Sequence, residues 1–178
     1  IDFAVTDDAA PVITLKNGAD VTLNYGSDFN LSDYVDVTDN FDGVVQPQVE
    51  GSIDNHKEDG VQTLTIKATD SSGNESSAQL NVAVKDTEAP KISLSKSEVS
   101  VNVGASLDLS NYLSSSTDNK DGDVKGKVSI PSVSTSKAGS YTATYTVSDA
   151  AGNQGSASLT VKVNAVRTSS KKGSVAIG

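Results

Sequence analysis

Between Val61 and Asp70 the apolar residues Leu64, Ile66 and Ala68 alternate with Thr63, Thr65 and Lys67. Between Tyr141 and Asp149, Tyr141, Ala143, Tyr145 and Val147 alternate with Thr142, Thr144 and Thr146. A period of two sends one set of side chains into a core and the other into water, so both segments are predicted to be β-strands. Leu80, Val82, Val84 and Leu159, Val161, Val163 continue the alternation beyond Gly-containing turns, which predicts a hairpin in each place. Shorter strands are expected at 12–15, 20–24, 28–31 and 45–50. No window shows helical spacing bounded by caps, so helix content should be near zero.

The pattern repeats. Ala10-Pro11-Val12-Ile13-Thr14-Leu15 recurs as Ala89-Pro90-Lys91-Ile92-Ser93-Leu94, and Thr38-Asp39-Asn40-Phe41-Asp42-Gly43 as Thr117-Asp118-Asn119-Lys120-Asp121-Gly122, in both cases 79 residues later. Asp70-Ser71-Ser72-Gly73-Asn74 returns at the same offset as Asp149-Ala150-Ala151-Gly152-Asn153, whereas Val21, Gly26 and Tyr34 match Val99, Gly104 and Tyr112 at 78. A fixed internal period identifies the structural unit. The segment Ile1 to Pro11 aligns with Leu80 to Pro90, also at 79, so residues 1–9 are expected to be the last strand of a preceding repeat or an N-terminal strand. Repeat one spans 10–88, repeat two 89–166, and 167–178 reads as a basic linker toward a downstream segment.

About seven short strands in about 80 residues is the strand count of an immunoglobulin-like sandwich. The expected fold is therefore all-β: two tandem immunoglobulin-like β-sandwiches arranged end to end. Inward positions should include Ile13, Leu23, Leu31, Leu64, Ile66, Leu80 and Val82 in the first, and Ile92, Val101, Leu109, Ala143, Tyr145, Leu159 and Val161 in the second.

The Ala-Pro-x-Ile starts, the Thr-Asp-Asn-x-Asp-Gly segments, Gly139 to Asn153, and the junction Asp86-Thr87-Glu88-Ala89-Pro90 together resemble the bacterial Ig-like repeats of surface and cell-wall proteins, related in pattern to hyalin-type repeats. The resemblance covers roughly 1–164. It implies a β-sandwich, and a role as spacer, adhesin stalk or appendage of an enzyme, since such folds host many functions.

Composition narrows the chemistry. Hydrophobic residues make up 35% and charged residues 21% of the 178 residues, with 42 Ser or Thr and only 8 aromatics. This is a thin-cored β composition and not a disordered one. The chain has no Cys, which removes disulfide scaffolds and thiolate chemistry. A net charge of −9 and a pI near 4.4 oppose nucleic acid and anionic membrane surfaces. No stretch reaches the roughly 18 apolar residues of a membrane span, and with neither a signal peptide nor an initiator Met a processed chain or excised fragment is expected.

Catalysis finds no constellation. His56, the one histidine, lies in a polar stretch between Asn55 and Lys57, where a surface-loop histidine is the expected role. No Gly-rich phosphate loop occurs, and the chain lacks Trp, leaving few aromatics for a carbohydrate platform. Lys67, Asn81 and Lys162 fall on the outward phase of their strands, against an intramolecular Lys–Asn isopeptide bond.

The Asp-rich loops are the remaining candidates, because carboxylates clustered with Asn and carbonyls suit calcium. With Gly43 or Gly122 as its sixth residue, an EF-hand loop would begin at Thr38 or Thr117 and end at Val49 or Val128, so that motif fails. Asx turns at Asp39 and Asp118 explain each loop alone. In an Ig-like topology, however, loops 117–123 and 149–153 should face linker 85–90, drawing together Asp86, Glu88, Asp118, Asp121, Asp149 and Asn153. The junction is also similar to the calcium-binding linkers of cadherin-like arrays. Calcium there is the one candidate cofactor, and no catalytic, cofactor-binding or metal-ligating residue is otherwise assigned.

The expected function is a non-catalytic spacer or stalk module of a secreted bacterial cell-surface or cell-wall protein. Its partners would be neighbouring domains of the same polypeptide. The alternative is an adhesion module for a cell-wall or host-surface ligand, using the polar loops and the acidic first repeat: residues 11–89 carry 14 acidic and 4 basic side chains, residues 90–168 carry 6 and 8. A third reading is an accessory region of a peptidoglycan hydrolase.

Overall fold

The computed structural model describes residues 1–167; the expected basic linker therefore lies, from 168 onward, outside the described residues. The chain divides into two compact units, Ile1–Thr87 and Glu88–Gly178.

The first unit contains β1 (Val12–Leu15), β2 (Asp20–Asn24), β3 (Val35–Asp39), β4 (Gly43–Val44), β5 (Gln48–Glu50), β6 (Gln62–Thr69) and β7 (Glu75–Lys85). One sheet has the order β1-β3-β4 and the other β2-β7-β6-β5. Pairing is antiparallel except between β2 and β7, which run parallel with Val21 opposite Val82 and Leu23 opposite Val84. Val35 and Val37 of the first sheet meet Leu23, Leu64, Ile66, Ala68, Leu80, Val82 and Val84 of the second in one buried cluster, with Ile13 and Leu31 packed on its rim. Each Val, Leu or Ile side chain withdrawn from water in this way stabilises the unit by about 1.5–3 kcal/mol.

Several expectations are corrected. Residues 28–31 do not form a strand. Asp33 N–H donates to Asn30 O and Tyr34 N–H to Leu31 O, closing a single 3-10 turn at Leu31–Asp33 whose flanking Phe29 and Tyr34 rings stack at 5.3 Å. The strand expected at 45–50 is shortened to Gln48–Glu50, because Pro47 has no N–H to give to a ladder and Val45 N–H donates instead to the carbonyl of Val37 in the other sheet. β3 lay unread in the sequence: it offers only Val35 and Val37 before Asp39, too short an alternation to stand out. Residues 1–6 form no strand, and Ile1, Phe3 and Val5 stand exposed. Their counterparts in β7 hydrogen-bond to β6 on one side and β2 on the other, and residues 1–6 have no such neighbours among the described residues.

The second unit repeats the plan with β8 (Lys91–Leu94), β9 (Glu98–Asn102), β10 (Leu113–Asp118), β11 (Gly122–Asp123), β12 (Gly139–Ser148) and β13 (Gln154–Asn164). Its sheets run β11-β10-β8 and β12-β13-β9, with β9 parallel to β13. The counterpart of β5 is reduced to a bridge between Ser129 and Thr146. Leu109, Ala143, Tyr145, Leu159 and Val161 lie in its buried cluster, with Ile92 and Val101 partly buried against it. Tyr145 occupies the place of Ile66. Its hydroxyl donates to the carbonyl of Leu109 at 2.7 Å, which holds the 3-10 turn Leu109–Tyr112 against the core. Helix among the described residues is confined to this turn, Leu31–Asp33 and Lys125–Lys127.

Candidate functional site

The recurring Asp motifs first build turns. Asp39, at the end of β3, accepts from the N–H groups of Phe41 and Asp42 at 2.9 and 3.0 Å through Oδ1. The turn closes at Gly43, whose φ of 74° is a left-handed value that glycine adopts without strain. Asp42 reaches across to Ser71, accepting from its hydroxyl at 2.6 Å and from its N–H. At the end of β6, Asp70 accepts from the N–H groups of Ser72 and Asn74 and from the Asn74 side chain at 2.8–2.9 Å. The Asp42–Ser71 link thus ties the β3–β4 turn of one sheet to the β6–β7 turn of the other.

The same end of the sandwich receives the incoming chain, because Val12 pairs with Thr38 and so sets the residues before β1 beside Asp39. Asp7 lies there. Its Oδ1 accepts from Ala9 N–H at 3.2 Å, and its carbonyl accepts from the Asn74 side chain at 3.2 Å. Oxygen atoms of Asp7, Asp39 and Asp70 all come within 4.8 Å of one another. Asp39 and Asp70 are 8% and 7% exposed. The second oxygens of Asp7 and Asp39 are buried and accept no hydrogen bond.

Burial pushes the Asp7 carboxyl above its ordinary range; the charges of Asp39, Asp70 and Asp42 push the same way, against the hydrogen bond from Ala9. Burial also acts upward on Asp70, but the hydrogen bonds from Asn74, Ser72 and Gly73 outweigh it and hold that carboxyl below the usual range. Asp70 is thereby kept ionised next to two other carboxylates.

In the second unit Asp118 Oδ2 accepts from the N–H groups of Lys120 and Asp121, Asp121 accepts from Ala150 N–H at 2.6 Å, and Asp149 accepts from Asn153. Carboxylate oxygens of Asp118 and Asp149 approach within 4.8 Å. Glu88 lies 3.3 Å from Lys91. Asp86, in the first unit, is buried and its N–H donates to Glu58. In the sequence Asp39 stands only as an Asx turn and Asp70 only within a repeated motif, and neither is brought together with Asp7, yet the 79-residue period maps the three onto Asp86, Asp118 and Asp149. That mapping is the signal that would have found them.

The other polar residues singled out in the sequence have structural partners. His56 is exposed, edge-on to Tyr25 at 5.0 Å. Lys67 is 2.7 Å from Glu50 and Lys162 3.0 Å from Glu98, while Asn81 accepts from Thr63 and donates to Asp20. An open groove of about 550 Å³ runs beside β3 and β4, lined by Leu31, Val35, Val37, Val44 and Pro47 with Asp36 as its one ionisable group. Among the described residues no helix is long and apolar enough to cross a membrane.

No curated protein matches the chain in sequence. Among solved structures, the M60 catalytic domain with the CBM51-1 and CBM51-2 domains from Clostridium perfringens ZmpB is similar at 11% identity and a TM-score of 0.48, over 88% of this chain and 31% of that one. Drosophila N-cadherin EC1-4 is similar at 15% identity and a TM-score of 0.33, over 88% and 50%. A lipoprotein from Bacteroides thetaiotaomicron is similar at 15% and 0.35, over 85% and 99%. The chain spans under a third of the length of the first of these. The model of the family described as bacterial surface protein, Ig-like domain, matches residues 13–84 and again 93–163, which is the 79-residue repeat and the two sandwiches seen from sequence and structure alike. The chain therefore belongs to the bacterial surface protein Ig-like domain family, in two tandem copies.

Proposed function

We propose that this chain is a non-catalytic spacer of a secreted or wall-associated bacterial surface protein, holding neighbouring domains of the same polypeptide in place. One observation carries the reading: most of the polar groups that recur every 79 residues are engaged in the turns of their own sandwich. Asp42 is committed to Ser71 and Asp121 to Ala150, and Asp70 and Asp149 to their Asn partners four residues on. What recurs is a means of copying the fold, and no repeated nucleophile or acid–base pair accompanies it. The family match supports a surface location.

The test is a binding screen of the purified chain against cell-wall glycans and host matrix proteins. The spacer reading expects no saturable binding. Saturable binding that disappears when loops 38–43 and 117–123 are mutated would replace it with an adhesion module.

A further inference from the structure

We propose that Asp7, Asp39 and Asp70 form a calcium site that fastens the segment preceding β1 to the end of the first sandwich. Three carboxylates from three separate segments converge within 4.8 Å, and none of them makes an ion pair among the described residues. Turn formation accounts for Asp70 and for one oxygen of Asp39. It does not account for the other oxygen of Asp39, on a residue more than nine-tenths buried, or for the second oxygen of Asp7, both buried without a hydrogen-bond donor. Buried polar atoms are almost always satisfied, and an orphaned pair calls for an explanation such as an ion. Two orphaned anionic oxygens beside a third carboxylate are what a hard divalent cation completes.

The donor set selects the metal. It contains only oxygen, which suits calcium or magnesium and not zinc. Magnesium retains most of its water and is commonly held by one or two carboxylates in strict octahedral geometry, whereas calcium accepts six to eight oxygens in irregular arrangements. Three carboxylates fixed by unrelated turns match calcium. Extracellular calcium modules bind at about 10⁻⁴–10⁻³ M, which sets the concentration range for the test. The site is independent of the spacer reading, because an adhesion module would hold the ion equally well.

The experiment titrates chelator-treated chain with calcium chloride from about 0.1 to 10 mM, following heat release and the melting of the first unit. Saturable binding is expected, with melting raised by about 5–10 °C at tenfold excess over Kd. Asp39→Asn keeps an acceptor for Phe41 and Asp42 while removing one charge from the cluster. It should melt at or above the wild-type temperature without calcium and should lose at least tenfold in calcium affinity. Asp7→Asn, which alters no strand, should show the same loss. No binding up to 10 mM, binding unchanged in both variants, or an equal response to magnesium chloride would overturn the assignment.

Discussion

Tyr145→Phe isolates one buried hydrogen bond in the second unit. The side chain is fully buried and Leu109 is 3% exposed, so once the hydroxyl is removed water has no ready access to replace it. Packing changes by a single oxygen. The dominant cost is the Leu109 carbonyl deprived of a donor at 2.7 Å, about 1–3 kcal/mol for a buried polar group. For a unit of this size, each kcal/mol lowers Tm by about 4–8 °C. Urea unfolding followed by circular dichroism should show the second unit destabilised by that amount and the first unchanged. The pH dependence gives a second readout. Burial raises the Tyr145 phenol above its ordinary value, with Tyr112 and Asp108 adding to the effect, so the folded state retains the proton longer than the unfolded chain. This contribution is complete below the unfolded value of about 10 and is lost as pH rises through the folded one. The difference between wild type and Tyr145→Phe should therefore shrink in alkali. A loss below about 0.5 kcal/mol at neutral pH would show that the hydroxyl does not hold the 3-10 turn, and would refute the reasoning.

Gly51→Ala should destabilise the first unit by more than 1 kcal/mol in denaturant titration, because φ is 102° and the new Cβ would lie 3.0 Å from the Thr63 carbonyl. Asp42→Ala should cost the first unit about 1–2 kcal/mol by removing both hydrogen bonds to Ser71, and amide exchange at Ser71 should accelerate. Asp108 is held below the usual carboxylate range by the hydroxyl and N–H of Ser110. Its contribution is present above the unfolded value of about 3.9 and is lost as pH falls through the lower folded one. Asp108→Asn should flatten the acid limb of the second unit's stability curve.

The long strands were legible because β6, β7, β12 and β13 alternate over eight or more residues with a buried face, and the repeat doubled every such signal. The 3-10 turn at Leu31–Asp33 was not, because Phe29 and Leu31 satisfy a period of two while the local backbone hydrogen bonds choose a turn. β3 escaped because half of its information sits in its partner: Val35 and Val37 are buried only when β1 pairs alongside and the second sheet covers them. The candidate metal site was half legible. Asp39 and Asp70 belong to motifs visible at once, but Asp7 is marked only by the repeat that aligns its segment with Leu80 to Pro90, and its place depends on β1 pairing with β3, a long-range contact. The parallel pairing of β2 with β7 left no local trace either, since it joins positions about 60 residues apart.

That parallel pairing has a mechanical consequence. The chain reaches β2 at one end and leaves β7 at the opposite end, and the two strands lie in register from Asp20 with Asn81 to Asn24 with Lys85. Tension that reaches β2 and is drawn out through β7 therefore slides the strands past each other along their length. All the interstrand hydrogen bonds of this pair resist together, whereas a hairpin pulled at its open end gives them up one at a time. β9 and β13 reproduce the geometry from Glu98 with Thr160 to Asn102 with Asn164, so each repeat carries its own shear-resistant clasp.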